Sequence, residues 1–200
     1  MNRLKNLPTL RVDTSEKVSV TYKGKQYEGY KGDTVASLLY ANGVRVFARS
    51  LKYHRPRGLY SLDGECSNTC MQIDDIPNER AENIQARDGM NIREQNVKGS
   101  AENDMMGFID KLDWAMPAGF YYHTMHKPAS MWPVAMKQIR KAAGLGTLSQ
   151  DFDRHERFDQ IFPKTEVCVI GGGAAGMTAA LEAAEQGVRV ILLESRPRLG

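Results

Sequence analysis

The 200-residue chain carries 27 Lys and Arg against 24 Asp and Glu, and a formal charge of +3 creates no electrostatic demand for nucleic acid or an anionic membrane. No apolar run approaches the ~20 residues of a membrane span, and the start Met1-Asn-Arg-Leu-Lys5 lacks an apolar signal region. Three cysteines, odd in number, suit a reducing compartment, so a cytoplasmic protein of one or two domains is expected.

Residues 1–15 are polar and read as an irregular tail. Val18-Ser-Val-Thr-Tyr22 alternates apolar and polar, the pattern of a half-buried strand. Lys23-Gly24-Lys25 is a turn signal, and Gln26 to Tyr30 return as the hairpin partner. Gly32-Asp33-Thr34 then offers a helix N-cap, and Val35, Leu38 and Leu39 share one apolar helical face that ends at Asn42-Gly43. A hairpin and a helix, with further short strands at Val44 to Ala48 and Met71 to Ile73, open a β-grasp domain of the ferredoxin type over residues 16–100.

Inside that domain, Arg49-Ser-Leu-Lys-Tyr-His-Arg-Pro-Arg-Gly58 gathers Lys52, His54, Arg55 and Arg57 in one loop. It reads as an anion or cofactor-phosphate clamp, as a docking surface for a partner subunit, or as a solvated loop. Cys66 and Cys70 are spaced C-x3-C, whereas plant-type iron–sulfur clusters use C-x4-C-x2-C and a distant fourth cysteine. The remaining cysteine, Cys168, lies in a later strand where a side chain would pack against a helix, and three cysteines cannot supply four thiolates. Ordinary thiols are expected, with a redox pair or partial metal site as the alternative, so the domain is read as cluster-free and no metal site is assigned.

Residues 74–113 are polar, with Ile92, Val97, Met105, Met106, Phe108 and Ile109 as expected anchors to a core. Trp114 to Tyr122 form an aromatic segment with Pro and Gly, read as an irregular connector. His123 and His126 are three apart, but no carboxylate or third histidine is near, so surface or packing roles are favoured. Met136 to Ala143 read as a basic helix ending at Gly144-Leu-Gly146, and Gln150 to Arg157 as a charged linker; the connector thus covers 101–163.

Residues 164–200 carry the strongest motif. Val167 to Ile170 read as a parallel-sheet strand, and Gly171, Gly173 and Gly176 take the G-x-G-x-x-G spacing, with Gly172, Ala174 and Ala175 completing the turn. Alanine-rich Met177 to Gln186 read as a helix stopped at Gly187, followed by a strand from Val188 to Leu193. Glu194 lies 18 residues past Gly176, near the offset of about 20 expected of a ribose-binding acid. Gly171 permits the tight turn, Gly173 lets the backbone approach a pyrophosphate, and Gly176 lets helix and strand pack closely. The helix start offers unpaired N–H groups to the phosphates. The fold class is therefore an α+β β-grasp domain followed by the start of an α/β Rossmann-type dinucleotide-binding domain, interrupted at residue 200. A doubly wound domain needs more strands, so the chain reads as the front of a longer protein. NAD and FAD both suit the residues; Glu194 argues only against a 2′-phosphate.

The order of motifs resembles the N-terminal part of the alpha subunits of heterotetrameric sarcosine oxidases. The landmarks are Gly32-Asp-Thr34, Ala41-Asn-Gly-Val44, the Arg49 to Gly58 string, Pro117-Ala-Gly-Phe-Tyr-Tyr122, Ala142-Ala-Gly-Leu-Gly146 and Val169 to Gly176. The resemblance implies oxidative demethylation of sarcosine to glycine with hydrogen peroxide, and transfer of the one-carbon unit to tetrahydrofolate. It implies NAD in the domain opened by the βαβ unit, with FAD and FMN elsewhere in a complex with beta, gamma and delta type subunits. Gly171, Gly173, Gly176 and Glu194 match the binding motif, Ser195 and Arg196 fall at its adenosine end, and no catalytic residue falls in this chain. The chain is less closely similar to subunits of opine oxidases, hydrogen cyanide synthase and multisubunit amino-acid dehydrogenases, several with cluster cysteines. The alternative function is thus a [2Fe–2S] electron-transfer subunit of an opine or amino-acid dehydrogenase complex. In the sarcosine oxidase pattern Glu-Glu-Pro-Asn-Ala-Leu is expected where Glu65-Cys-Ser-Asn-Thr-Cys70 stands, so Cys66 and Cys70 are departures. A scaffold that docks other subunits is a third reading.

Overall fold

Alternation of side chains places Val20 and Tyr22 of β1 (Asp13–Tyr22) wholly inside the molecule, and the Lys23-Gly24 turn returns the chain antiparallel as β2 (Lys25–Lys31). The computed structural model describes residues 3–4, 7, 12–60, 67–116, 118–119, 127–142, 144–150, 159–196 and 199–200. Cys66, Phe120 to Tyr122, His123, His126 and most of the expected 150–157 linker lie outside the described residues. β1 begins earlier than its alternation suggests. Its first five residues are exposed and polar, so they carry no periodic signal, and the register shifts between Asp13 and Lys17.

Helix α1 (Val35–Ala41) starts where its cap predicts. The Thr34 hydroxyl accepts the Ser37 N–H at 3.1 Å, and the Ser37 hydroxyl accepts the Thr34 N–H at 3.0 Å. Buried Asp33 supports this cap: it accepts from the Ser37 hydroxyl at 2.7 Å and from the Tyr30 N–H at 2.9 Å, and it pairs with Arg3. Val35, Leu38 and Leu39 then pack with Phe47, Met71 and Ile92 in the core. At the helix–hairpin contact a Cβ on Gly29 would stand 2.5 Å from Leu38 Cδ1, so only glycine fits there.

Beyond α1 come a two-stranded ribbon, β3 (Ala48–Arg49) with β4 (Pro56–Arg57), and three short strands: β5 (Cys70–Ile73), β6 (Ile76–Arg80) and β7 (Asn91–Arg93). The main sheet runs β2-β1-β7-β5-β6, with β7 parallel to β1 and the other pairings antiparallel. Two strands therefore lie in the polar stretch from 74, where the sequence offers only core anchors such as Ile92. β7 contributes one buried side chain, Ile92, too little for a pattern, yet it closes the sheet centre. Of the other expected anchors, Met105 and Phe108 are exposed. They sit instead on a 3₁₀ helix (Met105–Ala115), whose last two residues enter the Trp114 to Tyr122 segment read as irregular. Helix α2 (Trp132–Ala142) is basic in its last turn, as expected.

The chain after α2 folds back onto the sheet. Gln72 accepts the Thr147 N–H at 3.1 Å and donates to the Thr147 carbonyl at 2.9 Å, while Asn78 donates to the Leu145 carbonyl at 3.0 Å. The first compact unit accordingly extends over Met1–Phe152, and Asp153–Gly200 form a second. The second unit holds β8 (Val167–Ile170), α3 (Ala174–Glu185) and β9 (Val190–Leu193), the strands parallel with Val167 opposite Val190 and Ile170 opposite Leu193. Among the described residues no helix is long and apolar enough to cross a membrane.

The basic loop is tied down from within. His54, only 4% exposed and at φ 53°, sets its Nδ1 2.6 Å from Asp104 Oδ2. Asp104 Oδ1 accepts the N–H groups of Lys98 at 2.9 Å and Met106 at 3.0 Å, the latter capping the 3₁₀ helix. Arg55 pairs with Asp110 at 2.5 Å, and Lys52 and the Tyr53 hydroxyl both donate to the Met116 carbonyl. Burial alone would raise the Asp104 carboxyl, but the Lys98 and Met106 donors and the His54 ring outweigh it and hold it below the usual carboxylate range.

Gly29→Val should destabilise the first unit by about 1–3 kcal/mol through overpacking against Leu38; an unchanged thermal midpoint would refute the contact. A depressed carboxyl contributes stability that is complete above its unfolded pKa of about 3.9 and is lost as pH falls through the native value. Asp104→Asn should therefore cost about 1–3 kcal/mol at neutral pH. In urea titrations taken below about pH 4 the variant should lose less further stability than the parent.

Candidate dinucleotide site

The glycine turn joins β8 to α3. Gly171, at φ 103°, donates its N–H to the Leu193 carbonyl at 2.8 Å, which locks the turn to the end of β9. A Cβ at Gly176 would stand 1.8 Å from the Gly171 carbonyl oxygen, a separation no side chain survives. The third fingerprint glycine is thus fixed by the close crossing of helix and turn. A Cβ at Gly173 would meet nothing within 4 Å, so this backbone is open to whatever approaches it. Gly173 is the N-cap of α3 and no side chain caps the helix, which leaves its first N–H groups facing outward unpaired by any side chain. The helix begins at Ala174, three residues before the alanine-rich run; Ala174, Ala175 and Gly176 belong to its first turn, where a glycine masks the helical signal. Gly187, at φ 79°, ends it as expected.

Glu194 follows β9 directly and turns back on the glycines. Its Oε2 accepts the Gly172 N–H at 2.5 Å, and its Oε1 accepts the Arg196 N–H at 2.8 Å and the Ser195 hydroxyl at 3.3 Å. The Arg196 and Gly172 N–H groups hold its carboxyl below the usual range. Gly172 is also crowded: a Cβ there would meet Leu199 Cδ2 at 2.5 Å and Glu194 Oε2 at 2.9 Å. The structure therefore brings Gly171, Gly172, Gly173, Ala174, Ala175, Gly176, Glu194, Ser195 and Arg196 into one neighbourhood. The contact of Gly172 with Glu194 has no sequence signal, because it spans the whole βαβ unit.

Cys168 corrects an expectation. It is exposed rather than packed on a helix, because strand alternation points Val167 and Val169 inward and Cys168 and Ile170 outward. Cys70 begins β5 opposite Arg80 in the first unit. Among the described residues no group of three or more His, Cys, Asp or Glu could hold a metal.

Residues 15–97 match a family described as a 2Fe-2S iron-sulfur cluster binding domain, and residues 166–200 match the FAD dependent oxidoreductases. The donor set does not fit the cluster: the chain has three cysteines, and Cys168 stands in the second unit's strand. The glycine turn and the uncapped α3 do fit a dinucleotide such as FAD. Sarcosine oxidase subunit alpha of Rhizobium meliloti (strain 1021) is 36% identical over 188 residues, 92% of this chain and 19% of that protein. The same subunit of Corynebacterium sp. (strain P-1) is 30% identical over 96% of this chain and 16% of its own length. That of Corynebacterium sp. (strain U-96) is 28% identical over 95% of this chain and 15% of its own length. A crystal structure of L-proline dehydrogenase from P. horikoshii superimposes on 92% of this chain and 26% of its own, with 23% identity and a TM-score of 0.48, too loose to bear on the fold. The chain spans less than a fifth of the length of its sarcosine oxidase relatives. A β-grasp ferredoxin-like domain followed by the start of an FAD oxidoreductase domain, this chain is a homologue of sarcosine oxidase alpha subunits, consistent with the N-terminal portion of one.

Proposed function

We propose that this chain is the dinucleotide-binding front of the alpha subunit of a cytoplasmic, sarcosine-oxidase-like flavoenzyme complex. The complex demethylates sarcosine oxidatively to glycine, yields hydrogen peroxide and passes the one-carbon unit to tetrahydrofolate. The observation that carries this reading is the 36% identity to a sarcosine oxidase alpha subunit over 92% of the chain. Within it, the α3 N-terminus receives the pyrophosphate beside Gly173, where the backbone is open. Gly171 and Gly176 hold the turn shut behind it, and Glu194, kept ionised by its backbone donors, accepts from a ribose hydroxyl. Each Glu194 oxygen already takes a backbone N–H and retains acceptor capacity for the sugar.

The dinucleotide at this turn is NAD by resemblance to the alpha subunit, while the match of residues 166–200 to FAD dependent oxidoreductases supports FAD. A flavin, when bound, supplies the two-electron acceptor that amine oxidation requires. This chain contributes binding, and beta, gamma and delta type subunits, with FAD and FMN, complete the complex. No catalytic role is assigned to its own residues.

The match to a cluster-binding family favours a second reading, an electron-transfer subunit of an amino-acid or opine dehydrogenase complex. Iron and acid-labile sulfide assays on the purified complex separate the two, and stoichiometric iron would overturn the cluster-free reading. Gly173→Leu should release the bound dinucleotide without changing subunit composition, since its Cβ meets no neighbour. Gly176→Val, forced against the Gly171 carbonyl, should in contrast lower the thermal midpoint of the second unit. Mass spectrometry of the released nucleotide should find NAD or FAD; a complex with neither bound at this turn overturns the assignment.

A further inference from the structure

Helix α2 carries a surface that no described element of the first unit covers. Apart from the 3₁₀ turn Ala129–Met131 that leads into it, no described helix or strand packs closely against it. Met131 and Val134 are each more than half exposed, and Lys137 and Lys141 follow them at three- and four-residue spacing. One face is therefore apolar at its start and cationic at its end. Beside it an open groove of about 520 Å³ lies between Trp132, Pro133, Met136, Lys137 and Arg140.

The charges on this helix are one-sided. Lys137, Arg140 and Lys141 are exposed, and none forms an ion pair with a described residue. From Trp114 to Gln150 the sequence contains no Asp or Glu, so the chain on either side of the helix offers no counter-charge. The helix's own stability does not account for the pattern. Cations suit the last turn, but a helix built to face solvent also places acids in its first turn and pairs opposite charges four residues apart, and α2 has neither.

Complementarity specifies the occupant. Three cations beside Met131, Val134 and the groove call for carboxylates flanking an apolar side chain, which a protein surface supplies. A phosphate backbone would leave the apolar residues unmatched, and two well-exposed apolar side chains offer a membrane little area to bury. We infer that α2 is the docking helix for an acidic, amphipathic segment of another subunit, an inference that rests on the reading of this chain as part of a hetero-oligomeric complex. An apolar side chain of that segment enters the groove between Trp132 and Met136, and its carboxylates pair with Lys137, Arg140 and Lys141.

Zero-length carbodiimide coupling of the intact complex should join Lys137 or Lys141 to an Asp or Glu of another subunit, read as a cross-linked peptide by mass spectrometry. In the full-length subunit, Lys137→Gln, Arg140→Gln and Lys141→Gln together should weaken association about tenfold, and Lys137→Glu, Arg140→Glu and Lys141→Glu together about a hundredfold or more. Raising the ionic strength should weaken the parent complex and leave the Gln variant almost unaffected. Helical content and bound dinucleotide should be unchanged in the Gln variant, which separates lost docking from lost folding.

Full-strength assembly of both variants, the absence of such links, or links confined to this chain's own carboxylates would each overturn the docking surface. So would retention of the complex on phosphatidylserine vesicles or DNA that the Gln variant loses. A complex that assembles through α2 yet does not oxidise sarcosine would refute the proposed activity and leave the docking surface standing. A subunit that purifies without any partner would overturn both.

Discussion

The irregular half of the first unit is organised around the buried contact between His54 and Asp104, 2.6 Å apart and fifty positions distant in sequence. Asp104, its side chain wholly buried, accepts from the His54 ring and from two backbone N–H groups. In a low-dielectric interior each of those bonds strengthens the others, and removing one partner strands the rest. The His54 carbonyl in turn accepts from Arg49, which reaches on to Ala101 and Glu102. Loop, ribbon and 3₁₀ helix are therefore held by one connected polar network rather than by apolar packing.

A different constraint governs the second unit. There the backbone itself is the obstacle: the crossing of α3 over the Gly171 carbonyl leaves no room for a Cβ at Gly176, whereas Gly173 faces open space. Steric closure on one side and openness on the other are what a pyrophosphate cradle needs. The carboxylate of Glu194 adds to the closed side by taking the Gly172 N–H.

The two units illustrate how far local patterns reach. The β1–β2 hairpin, the Thr34 cap of α1 and the glycine turn are legible because each rests on residues within a few positions of one another. The cations of the Arg49 to Gly58 loop read as a surface feature, since nothing near His54 in the chain announces its carboxylate. The expected packing of Cys168 failed for a related reason: alternation tells which residues share a face, but not which face the helix covers.

The sequence by itself determined the ferredoxin-like opening, the βαβ unit and its fingerprint, because alternation, capping and the positive φ of Gly171 are local requirements. Tertiary structure alone decided that three residues of β7 enter between β1 and β5, and that the chain after α2 returns to Gln72 and Asn78. These features each depend on one or two side chains meeting partners far along the chain, and a pattern that short leaves no periodicity to read.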